Sequence, residues 1–287
     1  MGLGLRTNLI SLDAQRYLKQ STASMAQIYK RLGSGQRINS SADDAAGLGI
    51  AEGLRSDARV STVSIRNATD GISTISIADT ALGQIGNMLN RLVELAQQSA
   101  SATYSNEQRS ALSSEFISLT SEIQRIADVT HFDGKLLLSG DDSVAFQVGL
   151  DGSELSWMSM SNVQATLADL GLADSTTGAL TVSIIAETED ASTEASRKAL
   201  DELKSAVTKL NRSRGSLGAV QSRLQSIVDN LLVARESFKS TESSIMDADI
   251  AEESAELAKV SVRQQAGTAL LAQANLQPRT VLELLRD

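Results

Sequence analysis

Cysteine is absent from all 287 residues, so neither a disulfide framework nor a thiolate metal site can form. Histidine occurs once, at His131, which excludes a two-histidine zinc site and the HExxH arrangement. Proline also occurs once, at Pro278, and with so few breakers long helices can run without interruption. Aromatic residues amount to 3%, poor material for a thick globular core, because aromatic side chains normally supply much of the buried area. Basic charge is short as well. A net charge of -9 argues against a nucleic-acid binder, which needs a basic face to release counterions. No run approaches the ~20 apolar residues of a membrane-spanning helix, so no membrane insertion is expected. Near the start, Arg6 is the only basic residue, and Asn8, Ser11 and Asp13 interrupt any signal-peptide core. A chain of this kind that leaves the cell is expected to do so without a cleaved leader.

What is abundant is heptad order. From Leu203 to Ile245, alternating steps of three and four give Leu203, Ala206, Leu210, Ser213, Leu217, Val220, Leu224, Ile227, Leu231, Ala234, Phe238, Thr241 and Ile245. Only Ser213 and Thr241 break the apolar rule, so the spacing predicts a rod about 65 Å long, buried along one narrow seam. A rod needs a partner of similar length. Upstream, Leu54, Ala58, Ser61, Ile65, Ala68, Ile72 and Ile75 lead through a repeated step of three at Ala78 into Leu82, Ile85, Leu89, Leu92 and Ala96. That repeated short step is a stammer in a coiled-coil repeat. The two rods are expected to zip together lengthwise.

Shorter elements surround them. Residues 5–33 form an amphipathic helix with Leu5, Leu9, Leu12, Leu18, Thr22, Met25, Tyr29 and Leu32 on one side. Gly33, Ser34 and Gly35 should break it. Ser41 with Asp44, and Ser105 with Gln108, have capping-box spacing. Asp43 and Asp44 are better explained as helix-start acids than as a catalytic pair, and Gly47, Gly49 and Gly53 as close-packing positions than as a nucleotide loop. Leu112, Phe116, Leu119, Ile123 and Ile126 predict a helix antiparallel to the first rod. Strands are expected at 136–138, 144–150 and 153–160, with Asp151-Gly152 as the hairpin turn. A helical turn at 167–172 and a strand at 180–186 follow, and Asp190 is placed to cap the second rod. Beyond an acidic first turn of Asp247, Asp249, Glu252 and Glu253, the last helix presents Ala251, Ala255, Ala258, Val262, Ala266, Ala269 and Ala272 as its apolar face. Pro278 should kink or restart it.

Three stretches also resemble bacterial flagellins. Residues 32–47, Leu-Gly-Ser-Gly-Gln-Arg-Ile-Asn-Ser-Ser-Ala-Asp-Asp-Ala-Ala-Gly, match one N-terminal signature of that family, and Arg66-Asn67-Ala68-Thr69-Asp70-Gly71-Ile72-Ser73 matches a second. Residues 264–275, Gln-Gln-Ala-Gly-Thr-Ala-Leu-Leu-Ala-Gln-Ala-Asn, followed by Pro278, Val281, Leu282, Leu284, Leu285 and Arg286, match the C-terminus. The likeness covers about residues 1–135 and 190–287. It implies a mainly α fold: a long antiparallel helical bundle or coiled coil with a small β-hairpin region and paired N- and C-terminal helices. Residues 1–43 and 246–287 would form a terminal coiled-coil inner-core domain, residues 44–135 and 190–245 a helical rod domain, and residues 136–189 the β-hairpin and a short variable outer segment.

The function so implied is a structural subunit that self-assembles into the flagellar filament for motility, secreted to the extracellular flagellum, with no cofactor and no enzymatic role. A hook-filament junction protein, which shares paired terminal helices, is the alternative. Inner-core assembly would rest on Leu9, Leu12, Met25, Leu32, Leu257, Val262, Leu271, Leu282 and Leu285, and the rod seam on Leu203, Leu210, Leu217, Leu224, Ile227 and Leu231. Implied partners are many copies of the same chain, an export chaperone at the C-terminal helix, filament cap and hook-junction proteins, and Toll-like receptor 5. For the receptor, Arg91, Leu95 and Glu115 stand at matching places, while Leu92 and Val93 replace a more polar neighbourhood. An inserted hydrolase finds no support, since no nucleophile has a base at a recognisable spacing.

Overall fold

The computed structural model describes residues 8–140, 143–160, 163–174 and 176–284, with backbone alone from 277 to 284. Leu5 and Leu285 lie outside the described residues, and Leu282 is described by backbone only. The helices are α1 (Leu9–Ser34), α2 (Ala45–Ser99), α3 (Asn106–Val129), α4 (Leu167–Leu170), α5 (Glu189–Met246) and α6 (Ile250–Leu284). The strands are β1 (His131–Phe132), β2 (Lys135–Leu136), β3 (Val144–Gln147) and β4 (Trp157–Met160), paired antiparallel as β1-β2 and β3-β4. Two compact units divide the chain: one holds Met1–Ala58 with Glu236–Asp287, the other Arg59–Arg235.

In the first unit α1 and α6 run antiparallel. Asn8 caps α1 by accepting from the Ser11 amide, and its side-chain amide donates to the Ala274 carbonyl at 2.8 Å. Ser11 Oγ donates to Asn275 Oδ1 at 2.9 Å, and Arg31 meets Glu253 at 2.9 Å at the other end. Gly35, at φ 69, turns the chain out of α1, as left-handed backbone there requires. The two connecting segments then clasp one another: the Arg37 amide donates to Met246 O at 2.7 Å, the Ala248 amide to Gly35 O at 3.0 Å, and the Arg37 guanidinium to Ile245 O at 2.8 Å. Ile38, Ala51 and Met246 form a small core beside them.

The helix starts are capped, but not all as expected. Asp44 caps α2 itself, accepting from the Gly47 amide at 2.9 Å, so the capping box expected with Ser41 is not made. Asp43 accepts from the Asn39 and Ser40 amides and from Ser40 Oγ, and these bonds, the hydroxyl's first, hold its carboxyl below the usual aspartate range. Close packing explains Gly47, where a Cβ would lie 3.0 Å from Ile38 Cδ1, but Gly49 and Gly53 face open space. Asp249 caps α6 through the Ala251 and Glu252 amides. Pro278 lies inside α6 without ending it.

In the second unit α2 and α5 are antiparallel partners. A Cβ at Gly71 would lie 3.2 Å from Leu224 Cδ1, Asp79 pairs with Arg214 at 2.8 Å, and Ser196 Oγ donates to Ser99 Oγ at 2.9 Å. Ile75, Ala78, Leu82, Ile85, Leu89, Leu92 and Ala96 are all buried, so the stammer passes without leaving the core. The α3 capping box is formed as the spacing predicts. Phe116, Ile123 and Ile126 of α3 complete the same core. Here α2 is covered on a second side, which buries Ala81 and Leu95 outside the single expected seam. Thr188, not Asp190, accepts from the Ala191 amide at the start of α5.

The β expectations need the most correction. The tight turn with two positive φ values is Asp133-Gly134, at 49° and 76°, between β1 and β2. Asp151-Gly152 instead lies in a longer loop between β3 and β4 that contains a 3-10 turn, Glu154–Ser156. The Asp151 carboxylate organises that loop by accepting from Ser156 Oγ, from Ser153 Oγ at 2.8 Å and from the Ser153 amide. Regular pairing therefore stops at Gln147 opposite Trp157, short of the expected strands. Residues 180–186 are not a strand: only Leu180 bridges, to Ala173, and the Ile184 carbonyl accepts from the Ser99 and Ser196 hydroxyls instead.

The hydroxyl bonds, Ser156 first, hold the Asp151 carboxyl below the usual aspartate range. Its support of the loop is thus fully present above the unfolded-state value of about 4 and is lost as pH falls through the lower folded value. The fluorescence of Trp157, the only tryptophan, should stay flat above about pH 4 and shift below it. Asp151→Asn should remove that transition.

Candidate functional site

No described side-chain cluster has the arrangement of a catalytic centre. His131 stands at the base of the β1-β2 hairpin with Nδ1 2.6 Å from Val129 O, and Asp43 and Asp44 hold backbone amides. Among the described residues no group of three or more His, Asp and Glu could hold a metal, and no helix is long and apolar enough to cross a membrane. The chemistry the molecule offers is surface complementarity, concentrated on α1 and α6.

The seam between these helices is narrow and only partly apolar. On α1 it runs through Ser11, Ala14, Leu18, Ser21, Met25, Ile28 and Leu32, and on α6 through Glu253, Leu257, Val260, Gln264, Gly267, Leu271 and Ala274. Both follow steps of three and four, as a coiled-coil pair requires. The alanine-rich face read from the sequence is a different one. Ala251, Ala255, Ala258, Val262, Ala266, Ala269 and Ala272 are all exposed, on the side of α6 turned away from α1.

The candidate assembly residues accordingly divide. Met25, Leu32, Leu257 and Leu271 are half-buried in the α1-α6 seam. Leu9 and Leu12 are exposed, and Val262 keeps 65% of its surface open, so these three do not pair the two helices within one chain. Ile10, Tyr17, Tyr29 and Leu270 are exposed as well. Along the flank, Tyr17, Ser21, Val260, Arg263, Gly267 and Leu270 line an open groove of about 510 Å3. With apolar side chains on opposite faces, α6 has the surface of a helix buried all round, yet one helix covers it.

In the second unit the seam residues Leu203, Leu210, Leu217, Leu224 and Leu231 are buried and Ile227 is partly so. Arg91 pairs with Glu115 and with Glu94, each at 2.9 Å, and all three are exposed. Leu95 is fully buried because α3 covers that side of α2, which corrects its placement among surface contacts. Sequence reasoning missed Arg109. It is 1% exposed and donates to Ser101 O, Glu189 O and Thr193 Oγ1, tying the exit of α2 to the start of α5. Nothing in the spacing of the chain marks an arginine for burial.

Comparison with known proteins places this geometry in a family. Residues 5–143 match the bacterial flagellin N-terminal helical region, and residues 200–285 the bacterial flagellin C-terminal helical region. The chain is similar to a flagellin of Halalkalibacterium halodurans, 36% identical over 280 residues covering 97% of this chain and 98% of that one. It is 34% identical over 290 residues to the flagellar filament 33 kDa core protein of Treponema phagedenis, with the same coverage of both chains. A flagellin of Bacillus subtilis is 34% identical over 303 residues, again covering 97% and 98%.

Proposed function

The chain belongs to the bacterial flagellin family, and from that premise we propose that the uncovered faces of α1 and α6 are the surfaces by which copies join. The protein is a structural subunit that polymerises into the extracellular flagellar filament, a role favoured over the hook-filament junction because its relatives are named flagellins or a flagellar filament core protein. The observation that carries the proposal is α6 itself, apolar on the face turned to α1 and again on the face turned away. A contiguous apolar face of that kind marks an association surface. By this reading residues 1–43 and 246–287 are the inner-core domain, residues 44–135 and 190–245 a helical rod domain, and residues 136–189 the hairpin and a short variable outer segment. Leu9, Leu12, Val262, Leu282 and Leu285 meet other copies through the inner-core domain.

The same exposed face of α6 suits a chaperone that covers it before export. Filament cap and hook-junction proteins meet the terminal copies through these surfaces. Toll-like receptor 5 contacts the exposed Arg91 and Glu115, without Leu95.

Trypsin with electron microscopy tests the central reading. Purified protein added to short filament fragments should elongate them, and sites such as Arg16, Lys19 and Arg263 should be cut in the free chain and protected in the filament. Equal cutting in the two states, or no elongation, would refute it.

A further inference from the structure

Two exposed stripes of the second unit carry opposite charge around an apolar centre. On α2, Arg59, Val63 and Arg66 follow one another at steps of four and three, all exposed, with Val63 51% open. Neither arginine has an acidic partner among the described residues. On α5, Asp229, Leu232 and Val233 form the second stripe, with Val233 68% open. Asp229 accepts only from the Gln225 side-chain amide, at 3.3 Å, and has no basic partner among the described residues.

Position makes the two stripes a matched pair. Arg66 stands two residues before buried Ala68, and Val233 two after buried Leu231, so each points about 200° away from a residue in the α2-α5 seam. They therefore look outward on opposite sides of the helix pair. The antiparallel register that sets Gly71 beside Leu224 and Asp79 beside Arg214, carried two turns further, brings residues 63–66 level with 229–232. One copy thus offers a basic apolar stripe on one side and an acidic apolar stripe on the other, at the same height.

We infer that in the filament the Arg59-Val63-Arg66 stripe of one copy packs sideways against the Asp229-Leu232-Val233 stripe of the next. This rests on the filament role above and names one lateral contact within it. A second copy of this chain is the occupant because the chain itself carries the complement of each stripe. Such a contact uses two different surfaces, so each copy keeps a free stripe for the next, as a helical polymer requires and a two-fold dimer does not. Val63 loses water against Leu232 and Val233, and Arg66 gains Asp229 at the rim. The ion pair sets partner choice and register more than strength.

Charge exchange tests the contact. Arg66→Asp and Asp229→Arg both change exposed groups that hold no structural partner charge, so each variant keeps its fold. At low ionic strength, where rim charges are least screened, each variant alone should need about tenfold more protein than the parent chain to elongate filament fragments. An equimolar mixture of the two should elongate within about twofold of the parent, because alternating copies restore opposite charges at every contact. The chain carrying both changes should behave like the mixture. Single variants that elongate like the parent, or a mixture no better than its components, would overturn the contact while leaving the filament role intact. Failure of the parent chain itself would instead remove the filament role, and this contact with it.

Discussion

Val262→Asp is expected to leave the isolated chain as stable as before and to stop filament growth. The side chain projects from the face of α6 turned away from α1, with most of its surface in water, so an exposed carboxylate there disturbs nothing within one copy. Between copies the same carboxylate would be buried without a partner, and the valine's own burial, about 1.5 to 3 kcal/mol, would be lost as well. A penalty of about 3 kcal/mol per copy raises the concentration needed for growth by roughly a hundredfold. Val260 supplies the contrast. It lies two residues away, 2% exposed and inside the α1-α6 seam, so Val260→Asp should loosen that pair already in the free chain. Circular dichroism of the monomer and sedimentation of polymer separate the two outcomes. If Val262→Asp chains sediment like the parent, α6 does not meet neighbouring copies through this face.

The distinction between these two valines shows what was legible in the sequence. Heptad spacing identified the α2 and α5 seams because one face there is apolar and the other charged, so Leu82, Leu89, Leu210 and Leu217 could take only one side. On α6 the same logic found an apolar face without saying whether α1 or another copy covers it. Both sides of that helix are apolar, and the seam within the chain includes Glu253, Gln264 and Gly267, residues that a count of apolar positions passes over. Polarity could not decide which face met α1. The partner's chemistry did: Arg31 draws Glu253, and Thr22 accepts from Gln264 at 3.3 Å.

Elsewhere the limits were local. An Asp-Gly pair signals a hairpin turn only if nothing competes for the aspartate, and at Asp151 the hydroxyls of Ser153 and Ser156 do compete. At Asp133, where the pair closes a two-residue loop, the signal holds, and both residues take positive φ. Leu95 was placed by the resemblance, which carries no information on burial, and the heptad of the first rod passes it by although α3 and α5 both pack on α2. A helix between two partners has two seams, and the second, through Ala81 and Leu95, is offset from the first. The candidate assembly face on α6 was recognisable as apolar from its alanines alone. That it faces away from α1 required the structure.

Arg109→Leu should destabilise the second unit by about 3 kcal/mol, more than most single changes on the surface of α3. The guanidinium reaches Glu189 O at 2.8 Å, Ser101 O at 2.9 Å and Thr193 Oγ1 at 3.1 Å, so one side chain fastens the turn after α2 to the first turns of α5. Replacing a buried charge by an apolar group of similar volume can be neutral where the partner groups leave with it. Here they stay: the carbonyls belong to the backbone of two helix ends and lose a charged donor that no leucine replaces. Lysine cannot stand in, because three bonds to two separate segments need the planar fork of arginine, and Arg109→Lys should recover less than half of the loss. Urea unfolding followed by Trp157 fluorescence measures the global cost. Hydrogen exchange over residues 189–196 measures the local one, and these amides should exchange faster in both variants than in the parent chain. Exchange unchanged there, with the urea midpoint also unmoved, would mean that the start of α5 is held by Thr188, Ser192 and Ser196 alone, without the arginine.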